Sequence, residues 1–175
     1  RQGPLAPGES EALGSLVEAV LGTAKYQHLA PEVVASVAQR KLRDHRSLRS
    51  ALKATKAELH QVGAAYFTAP PRYEEWLAEL AREAARGPDP LMAACRRIMA
   101  SHASTRERLP ILDGFFCQLL ADLPPIGSVL DLACGLNPLA IPWMPLAANA
   151  SYQALDVYTD LATFLAQATG TLGLA

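Results

Sequence analysis

The stretch that decides the fold runs from residue 129 to residue 156 and reads VLDLACGLNPLAIPWMPLAANASYQALD. Its first residues are apolar apart from Asp131, and this pattern predicts a short buried strand. A tight turn follows, and Pro138 suits the first position of a helix because its missing N–H is not needed there. Residues 152–155 predict a second strand that stops at Asp156. The stretch therefore predicts half of a nucleotide-binding βαβ unit.

The turn and the acid after the second strand predict a ligand site. Gly135 lets the backbone pass close to a ligand, and the start of a helix offers free N–H groups. Asp156 can accept hydrogen bonds from ribose hydroxyls and follows Gly135 by 21 residues, near the spacing of about 20 in such units. A single glycine replaces the glycine-rich motif that seats a pyrophosphate, so a ligand without phosphates, such as S-adenosylmethionine, is favoured. The alternative is a structural strand–turn–helix that binds nothing.

Composition limits the class of protein. The chain has 175 residues, is 50% hydrophobic and carries a formal charge of −1, which predicts a buried core in one domain or two small ones. No apolar run reaches the length of about 18 residues that a membrane span needs, and no signal peptide is recognisable. The cysteines at 95, 117 and 134 show no CxxC spacing, so we expect no metal site, a reducing cytoplasmic setting and cysteines that pack rather than react.

Charge is unevenly distributed along the chain. Residues 25–56 contain eight basic and two acidic residues, whereas no Lys or Arg follows Arg108. On a helix predicted over residues 47–62, cations recur at steps of three and four and could neutralise several phosphates. The alternative is a solvated helix face, but further cations in residues 40–43 favour RNA. The candidate RNA-binding residues are Arg40, Lys41, Arg43, Arg46, Arg49, Lys53 and Lys56.

Apolar periodicity predicts further helices on both sides of this basic segment. They begin near residue 9 or 10, at Pro31, near residues 72 and 91, and near Thr159. The helix near residue 91 is expected to carry His102 on its apolar stripe. Two strands cannot form a stable doubly wound sheet, so we expect the chain to be the front part of a longer protein.

Residues 101–110 contain a second group of candidates. Ser104 and Glu107 have the spacing of a capping box, which predicts a new helix start at Ser104. Arg108 could bind a carboxylate through two parallel hydrogen bonds. The alternative for Arg108 is a salt bridge to Glu107 or Asp113. Further upstream, Tyr66 could stack on a base or an adenine, or simply belong to the core.

The motifs S-H-A-S-T-R-E-R-L-P (101–110), D-L-A-C-G-L-N-P-L-A (131–140) and P-W-M (142–144) closely resemble the aminoglycoside-resistance 16S rRNA methyltransferases, the family that methylates N7 of guanine 1405. The resemblance covers most of the chain. It implies an α/β fold: an all-helical N-terminal domain (1–105) that docks on the 30S subunit, then the first part of a Rossmann-like S-adenosylmethionine-dependent methyltransferase domain (106–175), with the remainder beyond residue 175.

The resemblance also implies roles for individual residues around S-adenosylmethionine. Ala133 and Gly135 would approach the methionyl portion, and Arg108 would pair with its carboxylate. The ribose hydroxyls would be held by Asp156, with Val157 beside the adenine. The pocket would also be lined by His102, Ala103 and Ser104, with Tyr66 near the cofactor.

The function implied is methylation of N7 of guanine 1405 in 16S rRNA of the 30S subunit by a cytoplasmic, monomeric enzyme, conferring aminoglycoside resistance. Guanine N7 carries an in-plane lone pair, so we expect neither a general base nor a cysteine nucleophile; the enzyme mainly has to align the reacting atoms. One alternative is a non-catalytic RNA- or ribosome-binding module. Another is an NAD-dependent oxidoreductase, against which the missing glycines count.

Overall fold

The structure, a computed structural model, describes residues 7–63, 67 and 69–173. Its contacts divide the chain into two compact units, of which the first comprises residues 1–64 with 157–159 and the second comprises residues 65–156 with 160–175. The elements are helices and a small parallel sheet, as expected for an α/β protein. No helix in the described part of the chain has the length and apolarity needed to cross a membrane.

The first unit is helical. It is built from α1 (Pro7–Leu21), α2 (Pro31–Asp44) and α3 (Leu48–Gly63). Apolar residues three and four positions apart bring one face of each helix into a shared core, where their burial stabilises the unit. The buried residues of this core are Leu16, Val20, Tyr26, Leu29, Val34, Val37, Ala38, Ala51 and Leu59.

The buried face of α3 differs slightly from the one that the helical spacing of residues in the sequence predicts, which consists of Leu48, Leu52, Thr55 and Leu59. Ala51, Thr55 and Leu59 follow one another at steps of four and are buried. The Thr55 hydroxyl donates a hydrogen bond to the Ala51 carbonyl at 2.8 Å, so no polar group is left unpaired there. The expectation that Leu48 shares this face is wrong: Leu48 is 46% exposed, because it is the first residue of the helix and lies at the edge of the packed surface.

Residues 157–159 join the first unit through backbone hydrogen bonds. The Ala30 N–H donates to the Val157 carbonyl at 2.8 Å, and the Thr159 N–H donates to the His28 carbonyl at 2.8 Å. Leu29 and Tyr158 form an isolated antiparallel bridge between these two bonds. This short pairing ties a segment from late in the chain to the loop before α2.

The second unit combines helices with the sheet. Its helices are α4 (Tyr73–Ala84), α5 (Pro88–Met99), α6 (Ala103–Arg108), α7 (Leu112–Leu119) and α8 (Thr159–Thr171). Aromatic rings form part of its core: Phe164 stacks on Tyr73 at 5.1 Å between ring centroids and meets Trp76 edge-on at 5.7 Å. Leu80, Ile98, Met99, Leu139 and Leu161 are also fully buried.

The segment between α5 and α6 departs from the predicted pattern. The helix α5 ends at Met99, so His102 does not continue its apolar stripe. His102 has extended backbone angles and is itself the residue preceding α6, which begins at Ala103 and not at Ser104 as the capping-box spacing predicted. Ser104 does not cap the helix, because its Oγ lies 3.0 Å from Nδ1 of His102, and the buried Thr105 hydroxyl donates to the Met99 carbonyl at 2.6 Å, which ties the start of α6 to the end of α5.

The sheet has two parallel strands, β1 (Ile126–Leu132) and β2 (Leu146–Leu155). The segment between them contains a 3-10 helix, Asn137–Trp143. Pro138 is its second residue, and Pro142 lies inside it. Since side chains alternate along a strand, Asp131 and Tyr152 share one face of the sheet. The opposite face carries Leu130, Leu132 and Leu155, which are 59%, 65% and 54% exposed.

Candidate functional site

The turn after β1 is held in an uncommon backbone conformation. Ala133 has φ +53° and Gly135 has φ +51°, both in the left-handed region. Glycine adopts this region freely, whereas alanine pays about 1–2 kcal/mol. The Cys134 N–H donates to the Leu155 carbonyl at 3.1 Å, so the turn is tied to the end of β2. Strain of this kind at a non-glycine residue is typical of binding sites and makes Ala133 a reasonable candidate.

Gly135 and Asp156, which the sequence places at the turn and after the second strand, lie in direct contact. The Gly135 N–H donates a hydrogen bond to Oδ2 of Asp156 at 2.9 Å. Both residues stand at the carboxyl end of the parallel strands, the edge at which open α/β sheets bind ligands. The carboxylate is thereby held at the mouth of the turn, with its charge stabilised by a backbone N–H.

His102 covers the turn from the side of α6. A Cβ placed on Gly135 would lie 2.7 Å from Cε1 and 2.9 Å from Nε2 of the imidazole, so a side chain at position 135 would collide with the ring. Ser104 Oγ lies 3.0 Å from Nδ1 of His102, and the Phe67 ring meets the imidazole edge-on at 4.9 Å. The structure thus brings His102, Ser104, Gly135 and Asp156 together.

The electrostatic environment keeps the His102 ring neutral. Burial lowers its pKa below the ordinary value of 6.5, and the positive charge of Arg108 acts in the same direction, while the Asp156 carboxylate opposes both. A neutral ring can accept a hydrogen bond at one nitrogen and donate at the other. An uncharged imidazole therefore lies near the Asp156 carboxylate.

Arg108 lies in the same unit with one part of its guanidinium unpaired. Nη2 donates to Oδ1 of Asn137 at 2.9 Å, but Nε is buried and has no acceptor among the described residues. The alternative of a salt bridge to Glu107 or Asp113 is wrong, because Arg108 forms no ion pair in the described part of the chain. Asp113 instead pairs with Arg96 and accepts the indole N–H of Trp143 at 3.0 Å. A buried N–H without an acceptor is costly unless a ligand supplies one.

Three polar residues behind Arg108 were not among the sequence candidates. Asn137 Nδ2 donates to Oδ2 of Asp131 at 2.8 Å, and the Tyr152 hydroxyl donates to the same oxygen at 2.6 Å. With Arg108 they form a connected polar network. The only sequence signal for it was a lone acid within an apolar strand and a polar residue just after the turn, which is too common a pattern to predict a role.

The remaining cofactor candidates are less closely grouped. Ala103 is the first residue of α6 and is partly buried. Val157 belongs to the first unit, where its side chain packs against the helical core. The prediction for Tyr66 falls outside the described residues. The cofactor-binding roles of Ala103, Val157 and Tyr66 stay predictions, as do those of the candidates around the turn.

The candidate RNA-binding residues divide into paired and unpaired cations. Arg40 and Lys41 both contact the Glu58 carboxylate, at 2.6 Å and 2.7 Å, and their hydrogen bonds lower the pKa of Glu58. Lys56 is half-buried and donates to the Thr23 hydroxyl at 2.9 Å. Four cations are exposed and have no ion pair within the described ranges: Arg43, Arg46, Arg49 and Lys53.

The buried cysteines are poorly suited to nucleophilic chemistry. Burial raises the pKa of Cys134 to about 12, and the carboxylates of Asp156 and Asp131 add to the effect. Burial likewise raises the pKa of Cys95 to about 12. The thiol and not the thiolate is therefore the form present near neutral pH, although Cys134 lies within the turn itself.

Comparison with known families identifies the chain. Residues 22–173 match the family described as "Ribosomal RNA methyltransferase (FmrO)". The chain belongs to the FmrO ribosomal RNA methyltransferase family. All of the candidates around the turn, as well as the cations of α2 and α3, lie within the part that matches.

Relatives of this FmrO family member carry a specific name. The chain is 37% identical over 168 residues to a 16S rRNA (guanine(1405)-N(7))-methyltransferase of Micromonospora echinospora, a match covering 94% of this chain and 61% of the relative. It is 38% identical over 167 residues to the protein of the same name from Frankia casuarinae, covering 94% and 59%. The chain thus spans about three fifths of the length of these relatives.

Solved structures of this class share the fold. The 16S rRNA methylase RmtB superposes with a TM-score of 0.72 at 26% identity, over 93% of this chain and 61% of that chain. The 16S rRNA methyltransferase RmtF, solved in complex with S-adenosyl-L-homocysteine, gives a TM-score of 0.66 at 29% identity, over 98% and 61%. The α/β architecture of this FmrO family member is therefore that of 16S rRNA methyltransferases.

Proposed function

We propose that the whole protein transfers a methyl group from S-adenosylmethionine to N7 of guanine 1405 in 16S rRNA of the 30S subunit, and that the added methyl group confers aminoglycoside resistance by blocking drug contact with N7. Membership of the FmrO family and the names of the relatives support this activity. The observation that carries it is the Gly135–Asp156 hydrogen bond at the strand ends, with His102 packed over the glycine. An NAD-dependent oxidoreductase does not agree with the family.

The residues around the turn fit S-adenosylmethionine. The cofactor has a ribose, an adenine and an α-amino acid, and no phosphate. Asp156 offers a carboxylate for the ribose hydroxyls, and Gly135 has no side chain to block the approach of a ligand. Arg108 has a buried Nε–H that lacks an acceptor in the part of the chain that the structure describes, which suits the methionyl carboxylate. Around these three we propose His102, Ala103, Ser104, Ala133, Val157 and Tyr66 as further contacts.

The proposed reaction asks the protein to bind and orient, not to remove a proton. When bound, the sulfonium of the cofactor supplies an electrophilic methyl group. Guanine N7 has a lone pair in the plane of the ring, so we assign no general base and no catalytic residue in this chain. Asp156 and Arg108 would contribute by holding the ribose and the methionyl carboxylate of the cofactor, since alignment of the reacting atoms accounts for much of the rate. The buried thiol of Cys134 plays no nucleophilic part.

We propose that the helical region 1–105 docks on the 30S subunit and that residues 106–175 begin the Rossmann-like methyltransferase domain. The exposed cations Arg43, Arg46, Arg49 and Lys53 support the first assignment, because unpaired cations can each neutralise a phosphate. Arg40, Lys41 and Lys56 contribute less, because each is already engaged within the protein. The enzyme acts as a monomer in the cytoplasm, where the ribosome is found.

Methyl transfer to purified 30S subunits tests the proposal directly. The full-length protein is incubated with 30S subunits and S-adenosylmethionine labelled in the methyl group, and the modified base is mapped by cleavage at N7-methylguanine. Label at guanine 1405 is expected for the wild type and for Gln153→Ala, an exposed control on β2. Arg108→Ala is expected to lower transfer. No label, with binding to the 30S subunit retained, would overturn the enzyme in favour of a non-catalytic RNA-binding module.

A further inference from the structure

A chain of hydrogen bonds runs from the guanidinium of Arg108 to the inner face of the sheet. Arg108 Nη2 donates to Oδ1 of Asn137 at 2.9 Å, and Asn137 Nδ2 donates to Oδ2 of Asp131 at 2.8 Å. The Tyr152 hydroxyl donates to the same Asp131 oxygen at 2.6 Å. The network therefore joins α6, the residue after the turn, and both strands, which are separate parts of the second unit.

The two hydrogen-bond partners of Asn137, Arg108 and Asp131, allow only one orientation of its side-chain amide. A guanidinium only donates, so the amide oxygen must face Arg108; an ionised carboxylate only accepts, so the amide N–H must face Asp131. The two contacts use opposite ends of the same amide. Because Asn137 is bonded to both groups, the position of the Asp131 carboxylate determines where the Arg108 guanidinium is held.

Tyr152 holds the Asp131 end of this network. Its partner positions in the sheet place it on the same face as Asp131, and its hydroxyl donates to the carboxylate. Burial, together with the hydrogen bond to Asp131, raises the pKa of Tyr152 well above its usual range, so the hydroxyl keeps the proton that it donates. The Asp131 carboxylate is thus held by two side-chain donors of the protein, the Asn137 amide and the Tyr152 hydroxyl.

One nitrogen of the Arg108 guanidinium has a hydrogen-bond acceptor and another does not. Asn137 occupies Nη2, while Nε is buried and has no acceptor among the residues that the structure describes. A buried donor with no partner is destabilising, and a carboxylate beside it would form a charge-assisted hydrogen bond. Holding Nη2 in place determines where Nε points, because the guanidinium is planar and rigid.

We infer that Asn137, Asp131 and Tyr152 are positioning residues that hold Arg108 ready for the carboxylate of an amino-acid-bearing nucleoside. None of the three touches the ligand; they act through Arg108. The inference rests on the proposed function, since it takes the ligand to be S-adenosylmethionine. It goes further because it assigns a part in carboxylate recognition to side chains of the two strands, Asp131 on β1 and Tyr152 on β2.

Two ligands that differ in the amino acid separate positioning from general stability. S-adenosylhomocysteine carries the α-amino acid carboxylate, and 5′-methylthioadenosine has the same nucleoside without it. Binding of each to the full-length protein is measured by titration calorimetry, for the wild type, Asn137→Ala, Tyr152→Phe and the control Gln153→Ala, whose side chain is exposed on the neighbouring strand position. Circular dichroism melting establishes that each variant is folded.

The expected result is a selective loss. Asn137→Ala should bind S-adenosylhomocysteine about tenfold more weakly, equivalent to about 1.4 kcal/mol, and bind 5′-methylthioadenosine as the wild type does. Tyr152→Phe should show a smaller loss of the same kind, and Gln153→Ala none. Unchanged affinity for both ligands, or an equal loss for both, would overturn the positioning role. If the wild type bound neither ligand, the proposed cofactor itself would be wrong. If the wild type bound both ligands equally well, the proposed contact between Arg108 and the carboxylate would be wrong.

Discussion

The imidazole of His102 occupies the space that a side chain on Gly135 would need, since an ideal Cβ at position 135 would lie 2.7 Å from its Cε1 atom. The two residues come from different parts of the second unit, the start of α6 and the turn after β1. Their contact closes one side of the turn whose N–H binds Asp156. Any change that separates them should therefore affect both the stability of the unit and the proposed cofactor site.

Gly135→Ala should destabilise the protein by about 2–4 kcal/mol, combining the left-handed backbone angle with the collision against His102. Chemical denaturation of the variant and the wild type measures the difference. Gly127→Ala is a suitable control, because a Cβ there meets nothing within 4 Å and the backbone has no positive φ. Equal losses at positions 135 and 127 would contradict the close contact with the ring.

Thr105→Val should destabilise the protein by about 1–2 kcal/mol, because it removes the buried hydroxyl that donates to the Met99 carbonyl at 2.6 Å and leaves that carbonyl with the longer bond from the His102 N–H at 3.2 Å. Thermal melting followed by circular dichroism reports the change. Thr105→Ser keeps the hydroxyl and should restore the hydrogen bond while losing one methyl group. A valine variant as stable as the wild type would show that this bond does not hold α6 in place.

Stability should depend on pH through His102. Burial, assisted by the Arg108 charge, lowers the pKa of His102 below 6.5 in the folded protein. Above pH 6.5 the ring is neutral in both states; as the pH falls below 6.5 the unfolded chain takes up a proton that the folded protein resists, so the free energy of unfolding decreases. His102→Gln should show a shallower decrease from pH 7.5 to pH 5.5 in urea titrations. Parallel curves for the two proteins would exclude this linkage.

Alkylation by iodoacetamide at pH 8 should modify Cys117 and spare Cys95 and Cys134 in the folded protein. Cys117 is exposed, whereas burial raises the pKa of the other two thiols to about 12, leaving about one molecule in ten thousand as thiolate. Peptide mass spectrometry identifies the modified residues, and all three should react in denaturant. Rapid native labelling of Cys134 would show that the turn is open to solvent.

RNA binding should distinguish paired from unpaired cations. Arg49→Ala removes an exposed cation without an ion pair in the described ranges and should reduce the slope of log affinity against log salt by about 1. Arg40→Ala removes the same formal charge from a residue already bound to Glu58, and should have a smaller effect. Binding to 30S subunits is measured at several salt concentrations. Equal slopes for the two variants would mean that the Glu58 pair does not limit contact with RNA.

Local patterns predicted much of the fold and the first members of the site. Apolar residues at helical spacing predicted α1, α2 and α3, because that periodicity is a property of the chain itself. Gly135 and Asp156 were predicted from strand ends and spacing, and they do meet through a hydrogen bond. Where a sequence pattern allowed more than one contact, the folded structure decided between them: Ser104 has capping-box spacing, yet α6 begins one residue earlier and the Ser104 hydroxyl lies against the His102 ring.

By itself, the sequence determined the turn with its single glycine, the acid that follows the second strand, the concentration of cations before Arg108 and the helical periods, because each depends on residues near one another in the chain. Only the tertiary structure decided which charges are free and which groups cooperate. Arg40 and Arg49 look alike in the sequence, but Glu58 neutralises one of them, and Asp113 pairs with Arg96 and not with Arg108. Asn137 joins Arg108 to Asp131 across 29 and 6 positions of the chain, a relationship that arises only when folding brings distant donors and acceptors within hydrogen-bond distance.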